Sequence, residues 1–552
     1  MSLKICVAQL NLVVGDLPGN ARQIIDAAHT AHAQGARLLL TPELAISGYI
    51  AEDLFLRPAF IAACDDALNR VARETAGLGG LTIVVGHPSA VAPVDDVGPR
   101  CANAASVLCE GRRVAHYAKR LLPNYEVFDE RRYFTPGQGS CVFTVDGVRV
   151  GLLICEDAWF DEPAAAARQA GAELLAVINA SPYHQGKGAE REAAMARRAR
   201  ASGLPLVYAN LVGGQDEVVF DGRSLAIGAD GQLAGRAASF KENLFFVQAS
   251  RAAAAIELKA DMPPEPTPEA ELWEALVLGL RDYVDKNGFA GVALGLSGGL
   301  DSALVLALAV DALGAARVRT LMMPSPYTAG MSVEDAHEMA RRLGVRHDEL
   351  SIRPAFETLR ATLAPLFAGR GEDVTEENIQ ARVRGVLLMA LSNKLGHLIL
   401  TTGNKSEYAV GYCTLYGDMC GGFAPIKDVA KTTAYRLARW RNAHDPHGTG
   451  ANPMPERIIT RAPSAELREG QTDQDSLPPY EVLDAIVARY VEDNASIADL
   501  LAEGFAAADV ERVTRLIKAS EYKRHQAAVG TRVTRRSFGK DWRYPMTNRY
   551  RV

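Results

Sequence analysis

The sequence predicts an α/β protein of two domains, a mixed α/β sandwich followed by a doubly wound parallel sheet. Apolar runs short enough to be strands alternate with helical segments along the chain, and the first half also contains hairpin signals. Between the halves, four prolines within residues 263–268 can neither continue a helix nor enter a sheet. We therefore expect domains at 1–250 and 269–552, joined by a semi-rigid linker at 251–268.

The strands of the first half are predicted from short runs of apolar and β-branched residues. They are expected at residues 5–9, 37–40, 81–85, 106–108, 142–145, 148–154, 174–179 and 206–210. Asp146-Gly147 lies between two of these runs and is a strong hairpin signal. Helical spacing over residues 21–34 ends at Gly35, a typical C-terminal stop.

The second half alternates strands and helices more regularly, which predicts a parallel sheet with ligands at the carboxyl ends of its strands. Strands are expected at residues 292–296, 318–323, 347–352 and 398–401. Helices are expected at residues 269–284, 332–343 and 375–395, and a further helix starts at Leu304.

Charge and cysteine content narrow the class of protein. The 552 residues carry a net charge of −6 from 60 basic and 66 acidic side chains, which argues against nucleic acid or an anionic membrane as the main partner. No apolar run approaches the ~20 residues that span a bilayer, and the first residues predict a strand rather than a signal peptide. The eight cysteines are scattered without a Cys-x-x-Cys pair. This favours a reducing compartment, the cytoplasm, and no structural zinc.

Residues 297–303, Ser-Gly-Gly-Leu-Asp-Ser-Ala, form a glycine-rich turn between a predicted strand and a predicted helix. Backbone N–H groups at such a turn face outward beside a helix N-terminus, a geometry that binds phosphate. Gly298 and Gly299 permit the tight turn. Ser297 and Ser302 add hydroxyl donors. The order of residues is neither that of a Walker loop nor that of a dinucleotide fingerprint. It resembles the pyrophosphate loop of the ATP pyrophosphatases, which adenylate a carboxylate or carbonyl group.

Three polar residues lie at predicted strand ends in the first half: Glu43, Lys119 and Cys155. Taken singly, a cysteine is usually a small buried apolar residue and a charge is usually solvated. Taken together, they make chemical sense. Cys155 can attack an amide carbonyl as a thiolate, while Glu43 takes the thiol proton and passes it to the leaving ammonia. Lys119 can lower the pKa of the thiol and stabilise the oxyanion.

The segments around these residues resemble the nitrilase/amidase superfamily, in which the elements follow the same chain order. The matching strings are Thr41-Pro-Glu-Leu44, Tyr117-Ala-Lys119 and Ile154-Cys-Glu-Asp157. The resemblance implies a nitrilase-like α-β-β-α sandwich that hydrolyses glutamine. It also implies that Tyr125, Ser181 and Lys187 contact the glutamine. The residues themselves leave a second explanation for Ser181, which could cap a helix.

Polar residues also follow a predicted strand in the second half. Thr402 and Glu407 come just after residues 398–401, so Thr402 can contact a nucleotide. Glu407 can join Asp301 in holding Mg²⁺, since phosphate-bound Mg²⁺ typically takes one or two protein carboxylates.

Two further polar segments have both an ordinary and a functional interpretation. Asn378 and Arg382 lie four residues apart on one face of a predicted helix. They could form an exposed polar stripe or part of a binding site. The basic residues at 521–526 and 532–536 could form a solvated tail or a clamp on a phosphate-rich substrate.

Strings throughout the second half resemble the NAD synthetases, and with the nitrilase-like first half the chain resembles the glutamine-dependent NAD⁺ synthetases over nearly its whole length. These strings occupy residues 297–303, 377–382, 401–407, 412–418, 423–428, 463–473 and 521–524. The resemblance implies a Rossmann-like ATP-pyrophosphatase domain in the second half. It also implies a homo-oligomer that needs neither nucleic acid nor a membrane.

The resemblance assigns binding roles position by position. ATP contacts are implied for Thr402 and for the turn residues Gly295, Leu296, Ser297, Gly298, Gly299, Leu300, Asp301 and Ser302. Contacts with deamido-NAD⁺, which is nicotinate adenine dinucleotide, are implied for Asn378, Glu407 and Lys523. Asp301 and Glu407 would hold Mg²⁺. Further phosphate contacts are implied for Arg382, Arg384, Lys427 and Lys431.

We therefore expect glutamine hydrolysis in the first domain to supply ammonia to the second, where ATP activates the nicotinate carboxylate as an adenylate. The products would be NAD⁺, AMP, pyrophosphate and glutamate, and a dry passage would keep the ammonia unprotonated. Two alternatives remain open from the residues. One is a different glutamine-dependent adenylating synthetase that acts on a nucleotide base. The other is a non-catalytic nucleotide sensor with two relict sites.

Overall fold

The computed structural model describes residues 2–92, 101–252 and 255–550. The chain divides into two compact units, Met1–Pro266 and Thr267–Val552. Each unit combines helices and sheets around its own apolar clusters. The predicted α/β class is therefore confirmed for both halves.

The first unit contains both long central strands and short edge strands. They are β1 (Ser2–Gln9), β2 (Leu38–Leu40), β3 (Thr82–Ala90), β4 (Cys101–Cys109), β5 (Arg112–Ala118), β6 (Cys141–Val145), β7 (Val148–Ile154), β8 (Leu174–Asn179), β9 (Leu206–Asn210), β10 (Val212–Gln215), β11 (Val218–Asp221), β12 (Leu225–Ile227), β13 (Leu233–Arg236), β14 (Asn243–Ala252) and β15 (Ala255–Ala260). Its α-helices are α1 (Leu17–Ala33), α2 (Pro58–Glu74), α3 (Asp161–Gln169) and α4 (Lys187–Ser202).

Two sheets of the first unit stack face to face between two layers of helices. Their strand orders are β15-β14-β1-β2-β3-β4-β5 and β13-β12-β9-β8-β7-β6, with β10 and β11 as a separate hairpin. Along β1 the side chains alternate: Ile5 and Val7 enter the core between the sheets, whereas Cys6 and Ala8 belong to the cluster under α1 and α2. Helices α3 and α4 cover the outer face of the second sheet. This is the predicted α-β-β-α sandwich.

The segment 251–268, predicted as a linker, is only partly irregular in the structure. Strand β15 pairs antiparallel with β14, so residues 255–260 are the edge of the first sheet, while residues 253–254 lie outside the described residues. The sequence of β15 hides its strand character because the charged residues Glu257 and Lys259 face outward from a sheet edge. The irregular proline-rich segment is confined to residues 261–267, before the next helix begins.

The second unit is built on one four-stranded parallel sheet. Its strands are β16 (Val292–Gly295), β17 (Val318–Met322), β18 (Arg346–Glu349) and β19 (Leu398–Ile399), in the order β18-β17-β16-β19. The helices are α5 (Pro268–Lys286), α6 (Leu300–Leu313), α7 (Gly330–Leu343), α8 (Arg353–Leu363), α9 (Val374–Leu395), α10 (Lys405–Val410), α11 (Lys431–Ala443), α12 (Glu456–Thr460), α13 (Tyr480–Val487), α14 (Ile497–Ala502), α15 (Ala507–Ala519) and α16 (Glu521–Arg524).

Helices cover both faces of this parallel sheet, as predicted for a doubly wound domain. Phe356 of α8 and Val383 of α9 pack with Leu321 and Ile399 on one face. On the other face, α6 is apolar along almost all of its 14 residues because α5, α11 and the sheet surround it. Within the described residues, no helix combines the length and the apolar character required to cross a membrane.

The C-terminal basic residues form ion pairs inside the second unit. Arg532 is 1% exposed and donates to Asp541 at 2.8 Å, and Arg524 donates to Glu521 at 2.6 Å. These guanidinium groups hold the last turns of the chain against the cluster formed by α10, α13 and α15. Neither of the two explanations offered for this basic segment, a solvated tail or an anion clamp, describes Arg524 or Arg532.

A buried histidine makes the first sheet sensitive to acid. His87 on β3 lies 2.8 Å from the hydroxyl of Ser106 through Nε2 and 3.0 Å from the Pro88 carbonyl oxygen through Nδ1. Burial lowers the pKa of His87 to about 4, and His116 and Arg113 act in the same direction. The folded unit therefore keeps this imidazole neutral.

We expect the first unit to lose stability as the pH falls from about 6.5, the pKa of histidine in an unfolded chain, towards 4. In that window the unfolded chain binds a proton at residue 87 and the folded chain does not, so unfolding becomes easier by about 2 kcal/mol at pH ~5. Urea unfolding at pH ~7.5 and pH ~5 measures the difference. His87→Gln should flatten this dependence, whereas His29→Gln, at an exposed position, should not. Equal pH dependence in both variants would contradict the assignment.

Candidate active sites

The cysteine predicted as a nucleophile directly follows β7. Val150, Leu152 and Ile154 of this strand are buried between the two sheets, so the strand delivers Cys155 to the protein interior, where it is 3% exposed. Cys155 opens a short 3₁₀ turn, Cys155–Trp159, with a backbone φ of +44°. A left-handed conformation costs a non-glycine residue about 1–3 kcal/mol and is enriched at functional sites.

Lys119 lies between two buried carboxylates. Its Nζ atom is 2.7 Å from Oε1 of Glu43 and 2.9 Å from Oε1 of Glu130, and all three side chains are at most 3% exposed. The Glu43 carboxylate also accepts hydrogen bonds from Asn103 Nδ2 at 2.7 Å and from the backbone N–H of Ala180 at 2.9 Å. Glu43 follows β2, Lys119 follows β5 and Ala180 follows β8, so strand ends assemble this cluster.

The charges in this cluster act on one another because water is excluded. Burial raises the pKa of the Cys155 thiol well above its ordinary value; Glu43 adds to this rise and Lys119 opposes it. Burial alone would lower the pKa of Lys119, but Glu130 and Glu43 outweigh burial and the pKa is raised. Burial also raises the pKa of Glu130 to about 7, with Lys119 lowering it and Glu43 raising it. The resting site therefore holds a thiol close to an ammonium group.

Sequence reasoning missed Glu130, the second carboxylate on Lys119. The residue belongs to the string Asp-Glu-Arg-Arg at 129–132, which looks like an ordinary solvated run of charges. In the structure Glu130 is 2% exposed and also accepts a hydrogen bond from the hydroxyl of Tyr49 at 3.0 Å. No local signal distinguishes a buried charge in such a string from its exposed neighbours.

Two of the predicted glutamine contacts, Tyr125 and Lys187, lie close enough to Cys155 that a thiolate at this position would raise the pKa of each. Tyr125 is half exposed, and its hydroxyl lies 3.0 Å from both oxygens of Glu156. Lys187 is the first residue of α4, with Nζ 4.6 Å from the ring centroid of Trp159. Burial lowers the pKa of Lys187, and Arg191 lowers it further.

Ser181, the third predicted contact, follows Ala180 at the end of β8. Its backbone N–H donates to Oδ1 of Asn210 at 2.9 Å, and its hydroxyl lies 3.4 Å from Nη2 of the fully buried Arg191. Ser181 does not cap α4, because that helix begins at Lys187 after Gly186. The capping explanation is therefore ruled out for this helix. Ser181 instead directly follows Ala180, whose N–H donates to Glu43.

A cavity of about 290 Å³ lies at the carboxyl ends of the parallel strands in the second unit. Its wall includes all the predicted ATP contacts except Gly298, namely Gly295, Leu296, Ser297, Gly299, Leu300, Asp301, Ser302 and Thr402. Met323, Arg384 and Arg461 line the cavity as well. The chain therefore gathers apolar and cationic groups around the predicted phosphate turn, as a nucleotide requires.

Hydrogen bonds within the glycine-rich turn fix its shape. The Ser302 hydroxyl lies 3.1 Å from the Ser297 hydroxyl and donates to the Gly299 carbonyl at 3.0 Å. Gly298 has a φ of +76°, and a Cβ atom at this position would lie 2.2 Å from the carbonyl oxygen of Ser332. Helix α6 begins within the string 297–303, at Leu300, and its first residues Leu300, Asp301 and Ser302 line the cavity, so the free N–H groups of its first turn lie beside the cavity.

Asp301 and Glu407 are brought together around one ammonium group. Lys431 Nζ lies 2.5 Å from Asp301 Oδ2 and 3.8 Å from Glu407 Oε1, while Asn404 donates to Asp301 Oδ1 at 3.1 Å. Burial raises the pKa of Glu407 well above its ordinary value, and the Asp301 carboxylate adds to this rise. Across the part of the chain that the structure describes, no three His, Cys, Asp or Glu side chains form a ready metal centre.

Two predicted dinucleotide contacts do not line this cavity. Asn378 accepts a hydrogen bond from the Thr414 hydroxyl at 2.8 Å, and Lys523 donates to the carbonyls of Gly411 and Cys413 at 2.8 and 2.7 Å. Both side chains thus hold the segment 411–418, which contributes Asp418 to the cavity wall.

The four basic residues implied as further phosphate contacts divide into two groups. Lys431 and Arg384 line the cavity. Arg382 instead donates to the Leu415 carbonyl at 3.2 Å, and Lys427 donates to the Ala528 carbonyl at 2.8 Å. Sequence reasoning missed Arg461, which lines the cavity and donates to the carbonyl oxygen of Gly298 at 3.2 Å.

Two family models match the chain, one for each unit. A carbon-nitrogen hydrolase model matches residues 4–255, and an NAD synthase model matches residues 272–527. The first model coincides with the unit that carries Cys155, and the second with the unit that carries the glycine-rich turn. The class of protein is therefore a carbon-nitrogen hydrolase joined to an NAD synthase.

The chain is similar to characterised relatives over its full length. It is 53% identical to the glutamine-dependent NAD(+) synthetase of Xanthomonas campestris pv. campestris, with 100% of this chain and 98% of that protein covered. It is 50% identical to that of Xylella fastidiosa, with 100% and 99% covered. The solved glutamine-dependent NAD⁺ synthetase of Acinetobacter baumannii in complex with ADP is 42% identical, with a TM-score of 0.78 and 99% of each chain covered. This chain belongs to the glutamine-dependent NAD(+) synthetase family.

We expect Gly298→Ala to weaken ATP binding at least about tenfold, because the new methyl group would collide with backbone rather than with a movable side chain. Gly344→Ala is a matched control: Gly344 has a similar φ of +66°, but a Cβ there would meet nothing within 4 Å. Calorimetric titration with ATP compares the two variants. Equal ATP affinities of the two variants would contradict the prediction, because they would show that the turn accepts a methyl group at residue 298.

Proposed function

We propose that this chain converts deamido-NAD⁺ to NAD⁺ with ATP and with ammonia released from glutamine. The observation that supports the proposal is that one chain holds both a buried Cys155 near Glu43 and Lys119 and a cavity around the 297–303 turn. The family to which the chain belongs performs glutamine-dependent NAD synthesis, which supports the same conclusion.

In the first unit, Cys155 Sγ would attack the side-chain carbonyl carbon of glutamine. Glu43 would accept the thiol proton and deliver it to the amide nitrogen, so that ammonia leaves and a γ-glutamyl thioester remains. The Lys119 ammonium has three N–H donors, of which two are directed at Glu43 and Glu130. The third is suited to the oxyanion of each tetrahedral intermediate. Water, activated by Glu43, would then release glutamate and restore the thiol.

Glutamine would be recognised by charge at its α-carbon. Lys187 supplies a cation for the α-carboxylate, and Tyr125 and Ser181 supply hydroxyl groups for the polar end of the substrate. Burial lowers the pKa of Lys187, and a partly buried cation would bind a carboxylate more strongly than a fully solvated one.

In the second unit, the nicotinate carboxylate would attack the α-phosphorus of ATP and expel pyrophosphate. Ammonia would then attack the acyl carbon, and AMP would leave. The N–H groups at the start of α6 and the hydroxyls of Ser297 and Ser302 would hold the phosphates. Arg384, whose pKa burial lowers to about 10, adds a poorly solvated cation to this wall. Asn378 and Lys523 would act on the dinucleotide through the segment that they hold.

The donors near the turn fit Mg²⁺. Asp301 and Glu407 would hold the ion together with phosphate oxygens, and the ion would neutralise charge on the phosphates. Burial and the Asp301 carboxylate raise the pKa of Glu407, and an arriving cation would oppose this rise. In this structure the Lys431 ammonium supplies a positive charge beside Asp301, so it would have to move away from the carboxylate when the ion binds.

Ammonia is mostly protonated in neutral water and is then not a nucleophile, so its transfer would have to exclude bulk water. We further propose a cytoplasmic homo-oligomer. The free cysteines support a reducing compartment. Sedimentation analysis would test the assembly.

We expect Cys155→Ala to reduce glutamine-supported NAD⁺ formation at least ~10³-fold, because the covalent route is lost. Synthesis from ammonium salts should remain within about twofold, because the second unit is untouched. Chromatographic assay of NAD⁺ with each nitrogen source makes the comparison. Cys141→Ala, another buried cysteine of the first unit, serves as the control and should retain both activities. Loss of both activities in Cys155→Ala would contradict the division of labour.

We expect Glu407→Gln to raise the Mg²⁺ concentration needed for half-maximal pyrophosphate release at least about tenfold, since one carboxylate of the proposed ion site is lost. Glutaminase activity of the same variant should not change, and chelation of Mg²⁺ should leave it unchanged in the native enzyme. Titration of Mg²⁺ with both assays measures the effect. An unaltered Mg²⁺ requirement would remove Glu407 from the site.

A further inference from the structure

The carboxylate of Asp157 accepts hydrogen bonds from two segments of the first unit, residues 117–121 and Ile154. Oδ2 accepts from the Tyr117 hydroxyl at 2.9 Å and from the Ile154 N–H at 3.3 Å. Oδ1 accepts from the N–H groups of Arg120 and Leu121 at 3.1 and 2.9 Å. Asp157 itself is 0% exposed. Asp157 has no role in the proposed reaction. The four hydrogen bonds to its buried carboxylate therefore need another explanation.

The four donors flank the two groups that would do the chemistry. Tyr117 and Arg120 stand on either side of Lys119 in the chain, and Ile154 immediately precedes Cys155. Asp157 is two residues after Cys155, within the same 3₁₀ turn. One buried carboxylate therefore ties the segment of the ammonium group to the segment of the nucleophile.

These hydrogen bonds act where each segment leaves its strand, β5 in one case and β7 in the other. Lys119 lies one residue beyond β5, and Cys155 has the left-handed φ of +44°. Burial raises the pKa of Asp157, while hydrogen bonds from Leu121, Tyr117 and Ile154 lower it. Charge-assisted hydrogen bonds in a dry environment are strong and directional, so they can hold a strained turn in place.

We propose that Asp157 is a positioning residue of the glutaminase site, which sets the placement of the Cys155 thiol relative to the Lys119 ammonium through its hydrogen bonds to Tyr117, Arg120, Leu121 and Ile154. The inference rests on the proposed glutamine hydrolysis. Displacement of a catalytic group by about 1 Å can cost ~10²-fold in rate. Loss of the tie should therefore slow turnover while leaving the glutamine-binding side chains in place.

Two variants test this proposal: Asp157→Asn alters the carboxylate that accepts all four hydrogen bonds, and Tyr117→Phe removes one of the donors. The asparagine loses the charge and replaces one acceptor oxygen with a donor, so glutaminase kcat should fall ~10²-fold with KM within about threefold. Tyr117→Phe removes one of the four hydrogen bonds and should lower kcat about fivefold. Tyr133→Phe is the matched control. Tyr133 is also buried and donates to carboxylates, those of Glu52 and Asp53, which lie outside the catalytic segments.

Each rate is divided by the number of reactive thiols in the sample. These thiols are counted by reaction with labelled iodoacetamide in the presence and absence of glutamine, which protects the active-site thiol. Misfolded molecules therefore do not enter the rate. Ammonium-supported NAD⁺ formation is measured on the same samples and should stay within about twofold of native. Glutaminase kcat per thiol within about twofold of native in both Asp157→Asn and Tyr117→Phe would overturn the proposal, as would an equal fall in Tyr133→Phe. If Asp157→Asn does not fold, Tyr117→Phe and Tyr133→Phe decide alone. Absence of glutaminase activity in the native enzyme would instead refute the proposed function.

Discussion

The buried contact of Lys119 with Glu43 and Glu130 is the interaction on which the first site depends. Two carboxylates and one ammonium share an environment with almost no exposure, so each charge is tolerable only while the others remain. The two carboxylates raise the pKa of Lys119 against the effect of burial. Burial raises the pKa of Glu130 and of the Cys155 thiol, and the Glu43 carboxylate adds to both rises. Backbone geometry around the cluster therefore matters as much as the identity of the three side chains.

The second unit handles charge differently because its ligand would bring most of it. A cavity lined by hydroxyls, the cations Arg384, Lys431 and Arg461, and five carboxylates surrounds the 297–303 turn; the carboxylates are those of Asp301, Glu407, Asp418, Glu466 and Asp473. Lys431 lies between Asp301 and Glu407 in the structure. This ion cluster would have to rearrange when phosphate groups and an accompanying cation enter the cavity.

Both units place their chemistry at the carboxyl ends of strands, although their sheets differ. In the sandwich, β1, β2 and β3 are parallel, as are β7, β8 and β9, with antiparallel strands only outside them. In the second unit all four strands are parallel. Parallel strands end at the same edge of a sheet, so residues distant in sequence meet there. Glu43 follows β2 of one sheet and Ala180 follows β8 of the other, so the stacking of the two sheets brings these residues, 137 apart in the chain, into one hydrogen bond.

The amino-acid sequence by itself determined the class of both domains, the family, and the residues that stand at strand ends. Apolar runs such as 148–154 and the string 297–303 carry that information locally, because strand burial and a glycine turn leave a pattern in consecutive residues. Only the tertiary structure decided which charges are buried and what they touch. Glu130 sits in a run of charges indistinguishable from a solvated surface, and β15 carries charges outward from a sheet edge. Lys523 donates to carbonyl oxygens and Arg532 to a carboxylate of their own chain, contacts that the basic C-terminal strings do not reveal. Burial and partnership depend on residues far away in the chain, so no local pattern encodes them.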